Sequence, residues 1–148
     1  MTPSRNDDPI TCRLVAALNA LRQGSTTEWA DMFSPSGKMI FPYAPPGYPS
    51  ILEGKDAIAD YIRSYPDNIT LHTVSVDNVF RAGETRVIEF HVSATAVTTA
   101  RDFVMKYVSI IEVVNGQIET YRDYWNPLVA LEAMGDMETL NRMGQINE

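Results

Sequence analysis

Between residues 10 and 65 the apolar positions recur mostly at helical spacing, and from residue 70 onward they alternate as strands require. Asp8-Pro9 offers a cap followed by proline at the first helical position. Ile10, Leu14, Ala17, Leu18 and Leu21 then form the inner stripe of a helix that Gly24 ends. Ser25-Thr26-Thr27-Glu28 matches a capping box and opens a short helix carrying Trp29, Met32 and Phe33, which Ser34-Pro35-Ser36-Gly37 breaks. Lys38 to Tyr43 reads as a short strand with Met39, Phe41 and Tyr43 on one face. The stretch Ala44-Pro45-Pro46-Gly47-Tyr48-Pro49 is a loop placed to act as a lid or rim. A third helix runs from Gly54 to Tyr65 with Ile58, Tyr61, Ile62 and Tyr65 in one stripe, and Pro66-Asp67-Asn68 closes it.

Leu71 to Phe80, Arg86 to Thr98 and Phe103 to Val114 read as three long strands. Asn115-Gly116 is a hairpin signal, and Gln117 to Trp125 makes the partner strand. Asn126-Pro127 caps a last helix through Leu128, Leu131 and Met134. Beyond Gly135, Met137, Leu140 and Met143 mark either one more packed turn or a loose arm. Helices that precede a run of antiparallel strands predict an α+β domain, a curved sheet closed on its concave face by N-terminal helices. Such a cone leaves a pocket between sheet and helices, suited to a small molecule.

Strand parity selects the side chains that look into this pocket. The odd positions Phe103, Met105, Tyr107, Ser109, Ile111 and Val113 face the core, because Lys106 and Glu112 fall on the other side. The even positions Ile88, Phe90, Val92, Ala94 and Ala96 do the same on the preceding strand. A bulged turn at Asn115-Gly116 pairs Val113 with Gln117 and sets Asp123 opposite Tyr107, on the face of Ser109, Tyr121 and Trp125. A two-residue turn would shift the register by one and turn Asp123 outward. The bulged form is preferred because it groups Lys106, Glu112 and Arg122. His72 shares the parity of Val74 and Val76, so it looks into the pocket or sits in solvent at the strand's end. Val87, Val97, Val104, Val108 and Ile110 crowd the outer face, which predicts a homodimer through that surface.

Composition restricts the partners. The chain has 148 residues, 45% of them hydrophobic, enough for one domain over 1–148 with peripheral ends at 1–8 and 136–148. A net charge of −7 and scattered basic residues argue against nucleic acid and acidic membranes. Cys12 is the single cysteine, no apolar run spans a membrane, and the first residues lack a signal-peptide core, so a cytoplasmic location is expected. With two histidines, one cysteine and no Gly-rich phosphate loop, neither a metal nor a cofactor is expected.

The chemistry centres on Asp123, a carboxylate embedded in Glu119-Thr120-Tyr121-Arg122-Asp123-Tyr124-Trp125-Asn126-Pro127-Leu128. Burial among Tyr107, Tyr121 and Trp125 would raise its pKa toward the range of a general acid/base. Tyr43, Tyr61 or Tyr107 could donate to an enolate oxygen. The predicted catalytic group is therefore Asp123 and Tyr107, with His72 as a third member. Trp29, Tyr43, Tyr61, Phe90, Met105, Ser109, Tyr121 and Trp125 are predicted to contact a small apolar metabolite. Two other readings stay open: Asp123 as a structural hydrogen-bond acceptor, and the pocket as a non-catalytic carrier.

The Tyr-Arg-Asp-Tyr-Trp-Asn-Pro-Leu stretch closing the last strand resembles the NTF2-like superfamily, its SnoaL-like and PhzA/PhzB-like branches most of all. Leu52-Glu53-Gly54-Lys55-Asp56-Ala57-Ile58 and the Asn115-Gly116 hairpin support it, and the resemblance covers roughly residues 10 to 135. It implies the cone fold, a dimer, and an acid/base at the position of Asp123, as in SnoaL-like polyketide cyclases. The superfamily also includes ketosteroid isomerase, epoxide hydrolases and binding domains. The histidine that both branches carry fourteen positions before the acid is Ser109 here, and a second phenazine-branch histidine falls at Tyr61. The epoxide hydrolases use an Asp–Arg–Asp group, of which only Asp123 is found on the inner face.

Overall fold

Asp8 begins the first helix as its sequence implies. In the computed structural model, which describes residues 8–135, Asp8 Oδ2 accepts hydrogen bonds from Thr11 N at 2.9 Å and Thr11 Oγ1 at 2.7 Å. Helix α1 (Pro9–Arg22) buries Ile10, Leu14, Ala17, Leu18 and Leu21. The other Asp8 oxygen meets the buried guanidinium of Arg86 at 3.2 Å. Burial pushes the Asp8 carboxyl up, but the Thr11 hydrogen bonds and Arg86 outweigh it and hold the group below its ordinary value. This pair ties the start of α1 to the sheet.

After the short α2 (Thr27–Asp31), strand β1 (Phe33–Ile40) begins five residues earlier than the alternation suggests. Ser34 to Gly37 do not break the chain. They carry β1 alongside β6 (Gln117–Trp125) in parallel, with a register shift between Phe33 and Lys38. A Cβ on Gly37 would lie 3.0 Å from the Ile118 carbonyl oxygen and 3.1 Å from Phe33, so this crossing needs glycine. β2 (Ile51–Glu53) follows the Pro-rich loop, then α3 (Lys55–Arg63) and the single turn α4 (Tyr65–Asn68), which splits the expected third helix at Ser64. β3 (Ile69–Ala82), β4 (Thr85–Ala96) and β5 (Arg101–Val114) complete one sheet in the order β2-β1-β6-β5-β4-β3, antiparallel except at β1–β6.

Register shifts in β3 between Leu71 and Thr73 and between Val76 and Asn78 sharpen the twist and curve the sheet around its inner face. That face buries Leu71, Ile88, Phe90, Val92, Met105, Ile111, Ile118 and Tyr121, confirming the parity expected for β4 and β5. Helix α5 (Pro127–Ala133) is capped by Asn126 Oδ1, which accepts from Leu128 N at 3.0 Å. Its last carbonyls accept from Thr99 Oγ1 and Arg101 Nη1, both at 2.6 Å, which seats the helix across one end of the cone. Met137, Leu140 and Met143 lie outside the described residues, among which no helix is long and apolar enough to cross a membrane.

Candidate active site

Asn115 and Gly116 have φ of +52° and +77°, as a two-residue hairpin turn demands, and the turn pairs Val114 with Gln117. The expected pairing of Val113 with Gln117 is therefore incorrect. Alone, this turn would point Asp123 to the outside. A bulge reverses the outcome: Glu119 is the extra residue between the pairs Val113–Ile118 and Glu112–Thr120. Ile118 and Tyr121 both become inward-facing, and Asp123 faces inward opposite Ser109 rather than Tyr107, which pairs with Trp125. The Glu119 carboxylate accepts from Ser34 Oγ at 2.5 Å and Ser36 Oγ at 2.7 Å, and these bonds lower its pKa. Neighbouring β1 thus holds the bulge in place.

Asp123 opens onto a cavity of about 690 Å³ between the sheet and helices α1 to α5. Its Oδ1 is buried with no hydrogen-bond partner among the described residues, and this desolvation raises the pKa from 3.8 to about 7. Four tyrosines surround the carboxyl. Tyr121 lies 2.7 Å from Ser109 Oγ through its hydroxyl, and Tyr65 and Tyr107 hydrogen-bond to each other. Those hydroxyls are engaged away from Asp123. Burial first, and then the Asp123 charge, lifts Tyr61 to about 12 and raises Tyr65 and Tyr121 as well. For Tyr107 the order is burial, Tyr65, then Asp123.

Of the side chains anticipated from sequence, Trp29, Tyr61, Phe90, Met105, Tyr107, Tyr121, Asp123 and Trp125 line this cavity. Trp29 is buried with its ring centroid 5.6 Å from that of Tyr121, and its Nε1 is likewise buried without a partner. Ser109 does not line the cavity. It is buried just behind it and serves to hold Tyr121.

His72 is not in the site. It is the extra residue of the first β3 bulge, between the pairs Leu71–Ala94 and Thr73–Ser93, and so leaves the parity of Val74 and Val76. It is exposed on the outer face with Nε2 2.7 Å from Thr95 Oγ1. Tyr43 is also excluded, because β1 ends at Ile40 and the alternation stops with it. Its ring is 59% exposed and stands edge-on to Tyr124 at 5.2 Å, in an outer-face depression shared with Lys106. Phe41, Tyr48 and Tyr65 also line the cavity and are not among the contact residues anticipated from sequence, whereas Phe103 lines it as its strand parity predicts. Tyr65 was recoverable from its place four residues after Tyr61 on the helical stripe. Among the described residues neither arginine nor a second carboxylate lines the cavity, so they do not assemble an Asp–Arg–Asp group there.

Comparison with known proteins agrees with this architecture. The family model of the SnoaL-like domain matches residues 13–121. An uncharacterized PhzA/B-like protein of Pseudomonas aeruginosa is 36% identical over 133 residues, spanning 89% of this chain and 94% of its own. The crystal structure of a candidate isomerase from Bacillus subtilis superposes with a TM-score of 0.82 at 35% identity, over 86% of this chain and 94% of that one. A candidate SnoaL-like polyketide cyclase from Jannaschia shares the fold at 14% identity, with a TM-score of 0.70 over 90% of this chain and 96% of its own.

Proposed function

The chain belongs to the SnoaL-like family, and from that premise and the cavity we propose that it is a cofactor-independent acid–base catalyst of the isomerase or cyclase type. Its substrate is a small apolar metabolite with an acidic C–H beside a carbonyl. One observation carries the reading: an inward carboxyl with a pKa of about 7 and no hydrogen-bond partner on its buried oxygen. Near neutral pH such a group takes a proton in one step and returns it in the next with little free-energy loss either way. The Tyr65–Tyr107 pair and Tyr61 supply hydroxyls for the oxygen on which charge develops. Because Ser109 stands opposite Asp123 and is committed to Tyr121, Asp123 moves the proton without a histidine partner.

The carrier reading predicts the same cavity, so the test separates turnover from binding. Asp123→Asn keeps the shape and removes the base. Screened against enolisable cyclic ketones, the wild-type chain should show exchange or isomerisation that the variant lacks by a factor of at least about 100. The variant should still bind the same ketones. Equal turnover in both proteins rejects the proposal, and binding without turnover in either favours a carrier.

A further inference from the structure

Among the described residues aromatic rings dominate the cavity lining, Trp29, Tyr61, Phe90, Tyr107, Tyr121 and Trp125 among them. Among the described residues of the lining Asp123 is the one carboxylate, and no lysine, arginine or histidine joins it. The other polar contributors, Ser64, Asn68 and Thr98, are uncharged. Among the described residues an ionised Asp123 therefore meets no counter-charge inside the cavity, and its buried Oδ1 meets no donor.

We infer that the cavity accepts a protonated or quaternary amine borne on an apolar skeleton, with Asp123 as counter-charge and the aromatic rings as its cage. The inference rests on reading this cavity as the functional site and adds a ligand class to it. A neutral guest that displaces water strips the carboxylate further and supplies nothing in return, which disfavours the ionised form. A cation reverses that balance, because it is attracted both by the carboxylate and by the negative faces of aromatic rings. Alkylation matters as well. A compact ammonium such as that of lysine is strongly hydrated and costly to bury, whereas a bulky alkylammonium gives up less hydration and fills apolar space. Among the described residues the titratable groups facing Asp123 are tyrosines: Tyr61 from α3, Tyr65 from α4, Tyr107 from β5 and Tyr121 from β6, with Tyr48 on the loop beside Tyr61. Tyr61, Tyr65, Tyr107 and Tyr121 are all raised above the ordinary tyrosine value and stay neutral between pH 5 and 9, so among these groups it is Asp123 that titrates there.

Benzyltrimethylammonium and neopentylbenzene have the same shape and differ in charge, and the quaternary nitrogen does not titrate. The two tryptophans of the chain, Trp29 and Trp125, both line the cavity, so their fluorescence reports occupancy. At pH 8.5 the cation should bind at least tenfold more tightly than its neutral twin. That preference should shrink below pH 6 and vanish in Asp123→Asn, while neopentylbenzene binds both proteins equally and so confirms an intact fold. Equal affinity for the two probes at pH 8.5, or a preference that survives in Asp123→Asn, overturns the inference. Neither result touches the acid–base proposal, which is decided by turnover of ketones.

Discussion

Asp123 is maintained at a cost to the fold. Its pKa rises from 3.8 in the unfolded chain to about 7 in the folded one, so between those values the unfolded state is ionised while the native state holds the proton. Stability from this group is thus undiminished below about pH 4, falls as pH rises to about 7, and is flat above. By linkage the deficit at pH 8 is about 4 kcal/mol. Asp123→Asn should therefore raise the midpoint of thermal unfolding at pH 8 and leave it nearly unchanged at pH 4. A structural acceptor would behave oppositely, losing on the order of 1–3 kcal/mol on substitution. Calorimetry at the two pH values distinguishes a residue kept for chemistry from one kept for packing.

At the scale of elements, the site depends on backbone irregularities. β6 delivers Asp123 inward because a tight turn and a one-residue bulge cancel each other. The alternation of Ile111, Val113, Tyr121 and Trp125 made the inward face legible, but by a route that placed the extra residue at the turn rather than at Glu119. A bulge has no residue signature of its own. Here it follows from Ser34 and Ser36 on a strand distant in sequence, which no local pattern reveals. His72 was misplaced for the same reason, since a bulge in β3 removes it from the parity of its neighbours. The opposite case is α1, whose cap, stripe and stop all appear in consecutive residues and all hold.

For the molecule as a whole, the cone and its apolar lining were legible from periodicity, while its closure by the loop and α5 depends on contacts between remote segments. The outer face carries exposed apolar side chains. Phe80, Val104 and Val114 are each more than half exposed there, interspersed with the pairs His91–Asp77 and Arg122–Glu112. A face that is apolar and carries both charge signs can complement itself across a two-fold axis, so a second copy of the chain is the expected cover. Sedimentation should give a dimer that Val104→Arg converts to monomer. A monomeric wild type at tens of micromolar would exclude it.

The loop between β1 and β2 grips both sides of the sheet's end. Tyr43 stands against Tyr124 outside, and Tyr48 lies 6.5 Å from Trp125 within the cavity. A loop that opens as one body would break both aromatic contacts at once. Loss of the outer contact is then expected to shorten the residence of a guest inside. Tyr43→Ala should quicken both entry and escape in stopped-flow fluorescence, whereas unchanged rates would place the doorway elsewhere.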